Sequence, residues 1–124
     1  MWKYLIIGVG GFLGANLRYL VQGWFAILLG STFPYGTLVA NVTGSFLLAF
    51  FLALTTQRVG INPAWRLFFA VGLMGGYTTF SSFSYETLSY LEQGFWRLGV
   101  ANLAANVILG MGAALLGFWL ARLV

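Results

Sequence analysis

Four long apolar runs, separated by short polar clusters, organise this chain. The first extends from about Tyr4 to Leu29, interrupted only by Asn16, Arg18 and Gln22, and gives way to the turn-like GSTFPYG, Gly30 to Gly36. The second covers about Tyr35 to Thr55 and closes in TTQRVGINP, whose Arg58, Gly60, Asn62 and Pro63 form the most polar segment of the chain. A third extends from Pro63 to about Leu91; after EQGFWR, Glu92 to Arg97, a fourth covers about Leu98 to Leu120. A bilayer core about 30 Å thick is crossed by about 20 apolar helical residues. The pattern therefore predicts an all-α integral membrane protein: a single domain of four transmembrane helices, spans about 4–29, 35–55, 63–91 and 98–120. Pro34 and Pro63 suit helix starts.

Composition agrees, with 60% hydrophobic and 6% charged residues among 124. With no Cys and no His, disulfides, thiol nucleophiles and the usual zinc, haem and iron–sulfur ligand sets drop out, and no enzyme is expected. The net charge of +4 comes from six Lys/Arg against two acids. The cations are scattered singly, which argues for topology signals rather than nucleic-acid binding. If the N-terminus, the central loop and the C-terminus share one side, it holds Lys3, Arg58, Arg66 and Arg122 against Arg97 and Arg18 opposite, which favours both termini in the cytoplasm. Lys3 followed by YLIIGVGGFLGA imitates a secretory signal, but similar runs recur, so it is read as an uncleaved first helix in the cell (inner or plasma) membrane.

Within hydrocarbon an unpaired polar group is costly, so polar residues at depth face protein or water. Span two places Thr37, Asn41 and Ser45 at i, i+4 and i+8, one helical face; they either bond helices together or line a pathway. Asn41 has the stronger claim to function, because its carboxamide is costlier to bury and carries two N–H donors. In span four Asn102 and Asn106 share a face, and helix–helix hydrogen bonding is the default for both. Gly10 with Gly14 and Gly72 with Gly76 have the spacing that lets membrane helices approach closely, which in so small a chain implies packing against a second copy or a partner as well as within the bundle.

Span three carries GGYTTFSSFSYE, Gly75 to Glu86. Gly75 and Gly76 followed by Tyr77, Thr78 and Thr79 set weak helix formers in a row, so a break is expected near mid-membrane, where freed carbonyls line a cavity or bind an ion. Phe80 and Phe83 lie one turn apart, interleaved with Ser81, Ser82 and Ser84. Two phenylalanines alone would mean packing or lipid contact. Here the same turns offer positive ring edges and O–H donors, a lining that attracts a small anion without a full cation and still releases it. Arg18 is either a snorkelling interface residue or an electrostatic lure at a pore mouth. Glu86 has no role that the pattern explains.

Together GGFLGANLRY, GTLVANVTGSF and above all GGYTTFSSFSYE resemble the Fluc fluoride-channel family, also known as CrcB, over nearly the whole chain. The resemblance implies a fluoride-specific channel for passive export, built as an antiparallel dual-topology dimer with two pores. A structural sodium ion (Na+) at the centre of the interface would be held by the backbone carbonyls of Gly75 and Thr78 from both subunits. Phe80, Phe83 and Asn41 match the family's pore residues, Arg18 its span-one arginine, and Ser81 and Ser82 its hydroxyl track. Thr37 and Glu86 match further positions near the pathway. The chain departs from the family at Gly110 and Ala114, where hydroxyls are usual in span four, so water or Asn106 would replace them. Its unbalanced Lys/Arg count also leaves open a heterodimer with an oppositely oriented relative in place of a homodimer. A small proton-coupled multidrug exporter is the alternative, but it needs an acid in span one, where this chain has Arg18. A membrane scaffold would leave Asn41 and the Phe/Ser pattern without a reason.

Overall fold

The computed structural model describes residues 1–124 and is wholly helical. Helices α1 (Trp2–Leu29), α2 (Tyr35–Gln57) and α6 (Trp96–Leu123) are each long and apolar enough to cross a membrane. A fourth, broken helical stretch is assembled from pieces: α3 (Pro63–Trp65), a π-helical stretch Arg66–Met74, α4 (Gly75–Tyr77) and, after two extended residues, α5 (Phe80–Glu92). Asn62 caps its start, accepting the Ala64 N–H at 3.0 Å with Pro63 at the first helical position. Between α5 and α6 the chain turns at Gly94, whose φ of 82° is open to glycine at no steric cost.

Two close seams hold the bundle. On the first, α1 meets the broken span glycine to glycine: a Cβ added at Gly72 would lie 2.7 Å from the Ile7 carbonyl oxygen and 3.0 Å from Gly10 Cα, and one at Gly76 would lie 2.6 Å from the Gly11 carbonyl oxygen. Side chains added at Gly10 and Gly14 would likewise strike backbone of the broken span, at Phe68 and Leu73. The two glycine pairs thus face each other inside one chain, so neither is free for a partner, contrary to the expectation that they also serve an outer face. On the second seam α2 runs along α6, where a Cβ at Gly117 would come 2.6 Å from the Phe46 carbonyl oxygen. In a bilayer such contact replaces hydrophobic collapse as the source of helix association.

The buried apolar centre is small: Ala40, Met74 and Tyr77, flanked by Val21, Leu48, Phe69 and Leu73. Large apolar side chains such as Phe12, Ile27, Met111 and Leu115 point outward. That surface would be a liability in water and suits contact with lipid. Tyr77 donates its hydroxyl to Thr43 at 2.8 Å, because the single Thr43 proton is already given to the Val39 carbonyl.

Candidate functional site

The helix interruption lies at Thr78 (φ −82°, ψ 155°) and Thr79 (φ −150°, ψ 108°), both extended. Asn41 on α2 stands opposite and treats Thr79 as a neighbouring strand would. Its Oδ1 accepts the Thr79 N–H at 2.8 Å, and its Nδ2 donates to the Thr79 carbonyl at 3.1 Å. Thr79 in turn caps α5, its Oγ1 accepting the Ser82 N–H at 3.1 Å and donating to Ser82 Oγ at 3.0 Å. In an unbroken helix the Thr79 and Ser82 N–H groups would bond the carbonyls of Gly75 and Thr78. Both donors are diverted, which releases those two carbonyls, hard oxygen donors of the type that suits a small cation. Gly75 is exposed, and a Cβ there would meet nothing within 4 Å.

Beside the break a cavity of about 330 Å³ opens between α2, α5 and α6. Asn41, Ser45, Thr79, Phe80 and Phe83 line one side, with Gly110 and Ala114 of α6 on the other. The two rings meet edge to face, centroids 5.6 Å apart at 64°, with Phe83 buried and Phe80 79% exposed. Gly110 and Ala114 bring no hydroxyl, but Ser45 Oγ lies 3.8 Å from where a Gly110 Cβ would be. A hydroxyl from α2 therefore reaches the wall where α6 has none. Asn106 also lines the cavity, but its amide protons go to the Asn102 carbonyl and Oδ1, each at 3.0 Å. Of the groups on that wall, Ser45 is the better-placed donor.

A second polar cluster lies further along α5. Gln22 Nε2 donates to Thr37 Oγ1 at 3.0 Å, and Thr37 donates to Glu86 Oε1 at 2.7 Å. The other carboxyl oxygen, Oε2, is buried with no partner. All three residues line a cavity of about 290 Å³ that extends past Pro34 and Ser31 to the end of α1.

The candidates from sequence separate into groups. Asn41, Phe80 and Phe83 meet at the first cavity, Thr37 and Glu86 at the second. Ser81 and Ser82 gather around Thr79 Oγ1. Ser84 and Arg18 are half-buried and line neither cavity. Three participants carried weaker signals in the sequence than these. Gln22 was legible only as a polar interruption of span one. Ser45 shared the face of Thr37 and Asn41, and Asn102 carried no signal beyond its pairing with Asn106.

The fold and these sites define a small helical membrane protein whose interrupted crossing meets a polar face of its second helix. The family model described as "CrcB-like protein, Camphor Resistance (CrcB)" matches residues 5–118, and the chain belongs to that family. It is 48% identical over all 124 residues, and the full length of the relative, to a protein of Sulfurihydrogenibium sp. named "Fluoride-specific ion channel FluC". Proteins of the same name in Koribacter versatilis (48% identical, covering 91% of this chain and 90% of the relative) and Clostridium perfringens (44% identical, 97% and 94%) are similarly alike.

Proposed function

We propose that this protein is a fluoride-specific channel that lets fluoride leave the cytoplasm passively through the cell membrane and so relieves its toxicity. The observation that carries this is the cavity beside the helix break, where Phe80, Phe83 and Ser45 line one small space with no full cation in its lining. Fluoride is small and strongly hydrated, so its water must be replaced by closely spaced donors, and partial charges attract it without trapping it. The channels named for the relatives supply the identity of the ion. The driving force is the inside-negative potential, about 2.3 kcal/mol per charge per 100 mV.

Conduction proceeds through two pores in an antiparallel dual-topology homodimer. A second, inverted copy covers the exposed ring of Phe80 and brings two such breaks together. The released carbonyls of Gly75 and Thr78 from both copies would hold a sodium ion, which would supply positive charge between the two broken helices. Fluoride travels from the Thr37–Glu86 cluster past Ser84, Ser82 and Ser81 to the cavity lined by Phe83, Phe80, Ser45 and Asn41, and Arg18 raises the local anion concentration at the mouth. Reconstitution tests the function: liposomes containing the purified protein lose fluoride and retain chloride. Equal loss of both ions, or of neither, would remove the channel.

A further inference from the structure

Asn102 is fully buried, Asn106 nearly so, and neither is needed to explain a lining of hydroxyls and ring edges. They continue the bonding that starts at the helix break. Asn41 Nδ2 donates to Asn106 Oδ1 at 3.0 Å, Asn106 Nδ2 to Asn102 Oδ1 at 3.0 Å, and Asn102 Nδ2 to Thr87 Oγ1 at 3.0 Å. An amide can be turned end for end, so its direction must be inferred from its partners. Here the direction is fixed at the source. The Thr79 N–H can only donate and its carbonyl can only accept, so Asn41 must turn Oδ1 to the first and Nδ2 to the second. The remaining Asn41 proton then needs an acceptor, which obliges Asn106 to present oxygen. Asn106 must therefore direct its NH2 at Asn102, and Asn102 its own at Thr87. The backbone of the break thus sets the polarity of a ladder that ends on α5, one turn past Phe83.

We infer that Asn106, braced by Asn102, is a positioning residue of the pore: it engages the second N–H of Asn41 and so keeps that amide as a clamp on the helix break rather than a donor to the permeating anion. Asn41 and Asn106 both line the cavity, so a proton released from Asn106 faces the space the anion crosses. The inference rests on the fluoride pathway proposed above. It also explains why a wall with few hydroxyls need not bind too tightly, because the strongest donor in it is already engaged.

Asn106→Leu, close in shape, removes the acceptor and leaves Asn41 and its bonds to Thr79 in place. The freed N–H makes a charge-assisted hydrogen bond to fluoride, so the half-saturating fluoride concentration for liposome flux falls about tenfold and the maximal flux falls with it. With its second bond gone Asn41 also holds Thr79 less firmly, and the Thr79 amide exchanges with solvent deuterium about tenfold faster while amides of α1 are unchanged. A merely structural Asn106 would lower stability and leave the half-saturating concentration at the wild-type value, and that result overturns the inference. If Asn106→Leu does not fold, Asn102→Leu must move the same two readouts in the same direction by about threefold, since Asn106 keeps its bond to the residue 102 carbonyl; no shift there overturns it equally. Should the wild type conduct no fluoride, the channel proposal falls, and exchange at Thr79 still decides whether Asn106 holds the clamp.

Discussion

Adding one methyl group at Gly76 should separate the two halves of the bundle. The new Cβ would stand 2.6 Å from the Gly11 carbonyl oxygen and 3.1 Å from the Ala15 nitrogen, both backbone atoms that no side-chain rotation can move. Ordinary contact begins near 3.4 Å, so α1 and the broken span must part by about 0.8 Å, enough to forfeit a quarter to a half of the dispersion energy along that seam. Overpacking of this kind costs about 1–3 kcal/mol. The better helix propensity of alanine returns up to about 1 kcal/mol, leaving a net loss of up to about 2 kcal/mol. Gly8 and Gly112 supply the control, since a Cβ at either meets nothing within 4 Å. Gly8→Ala and Gly112→Ala should be neutral or stabilised by up to about 1 kcal/mol. Reversible unfolding in mixed micelles, followed by fluorescence of the five tryptophans, measures all three. A Gly76→Ala protein as stable as Gly112→Ala would refute the close seam. Because Gly76 lies three residues before Thr79, the same substitution should also lower fluoride flux.

Three further outcomes are expected. Replacing both Phe80 and Phe83 with Ile removes the ring edges while keeping apolar side chains and should cut fluoride flux at least tenfold while the proposed dimer persists by size-exclusion chromatography; wild-type flux would take the rings out of the pathway. Ser45→Ala should reduce fluoride flux severalfold because no α6 hydroxyl faces it across the cavity, and unchanged flux would show that Ser45 contributes no donor. Exchanging sodium for a large organic cation should dissociate or inactivate the dimer by leaving the carbonyls of Gly75 and Thr78 unneutralised, measured by chromatography and by flux together; indifference to sodium would remove the cation from the interface.

Much of this architecture is legible in the sequence because the bilayer limits the choices. Four apolar runs correspond to three long helices and one broken helix, and Gly75 to Thr79 announce the break because none of those residues favours a helix strongly enough to bridge it. The π-helical register of Arg66–Met74 is not legible, because i→i+5 bonding has no residue signature of its own and is settled by packing. The direction of the Asn41 amide escapes for a related reason. From sequence it is a donor available to an anion, and only the meeting with Thr79, 38 residues away, and with Asn106, 65 away, reveals that its protons are engaged. The glycine pairs show the same limit: spacing identifies a surface made for close approach but not what approaches it, and here each pair meets the other. Glu86, unexplained by pattern, acquires a partner once α2 brings Thr37 to it.

The central claim is selective electrodiffusion of fluoride. The reversal potential of a planar bilayer containing the protein tests it most directly, with a tenfold fluoride gradient, equal chloride and equal pH on both sides. A fluoride-selective pore sets that potential at about 59 mV per tenfold gradient, positive on the side of higher fluoride. A potential near zero, or one that follows an imposed chloride or proton gradient instead, would contradict it.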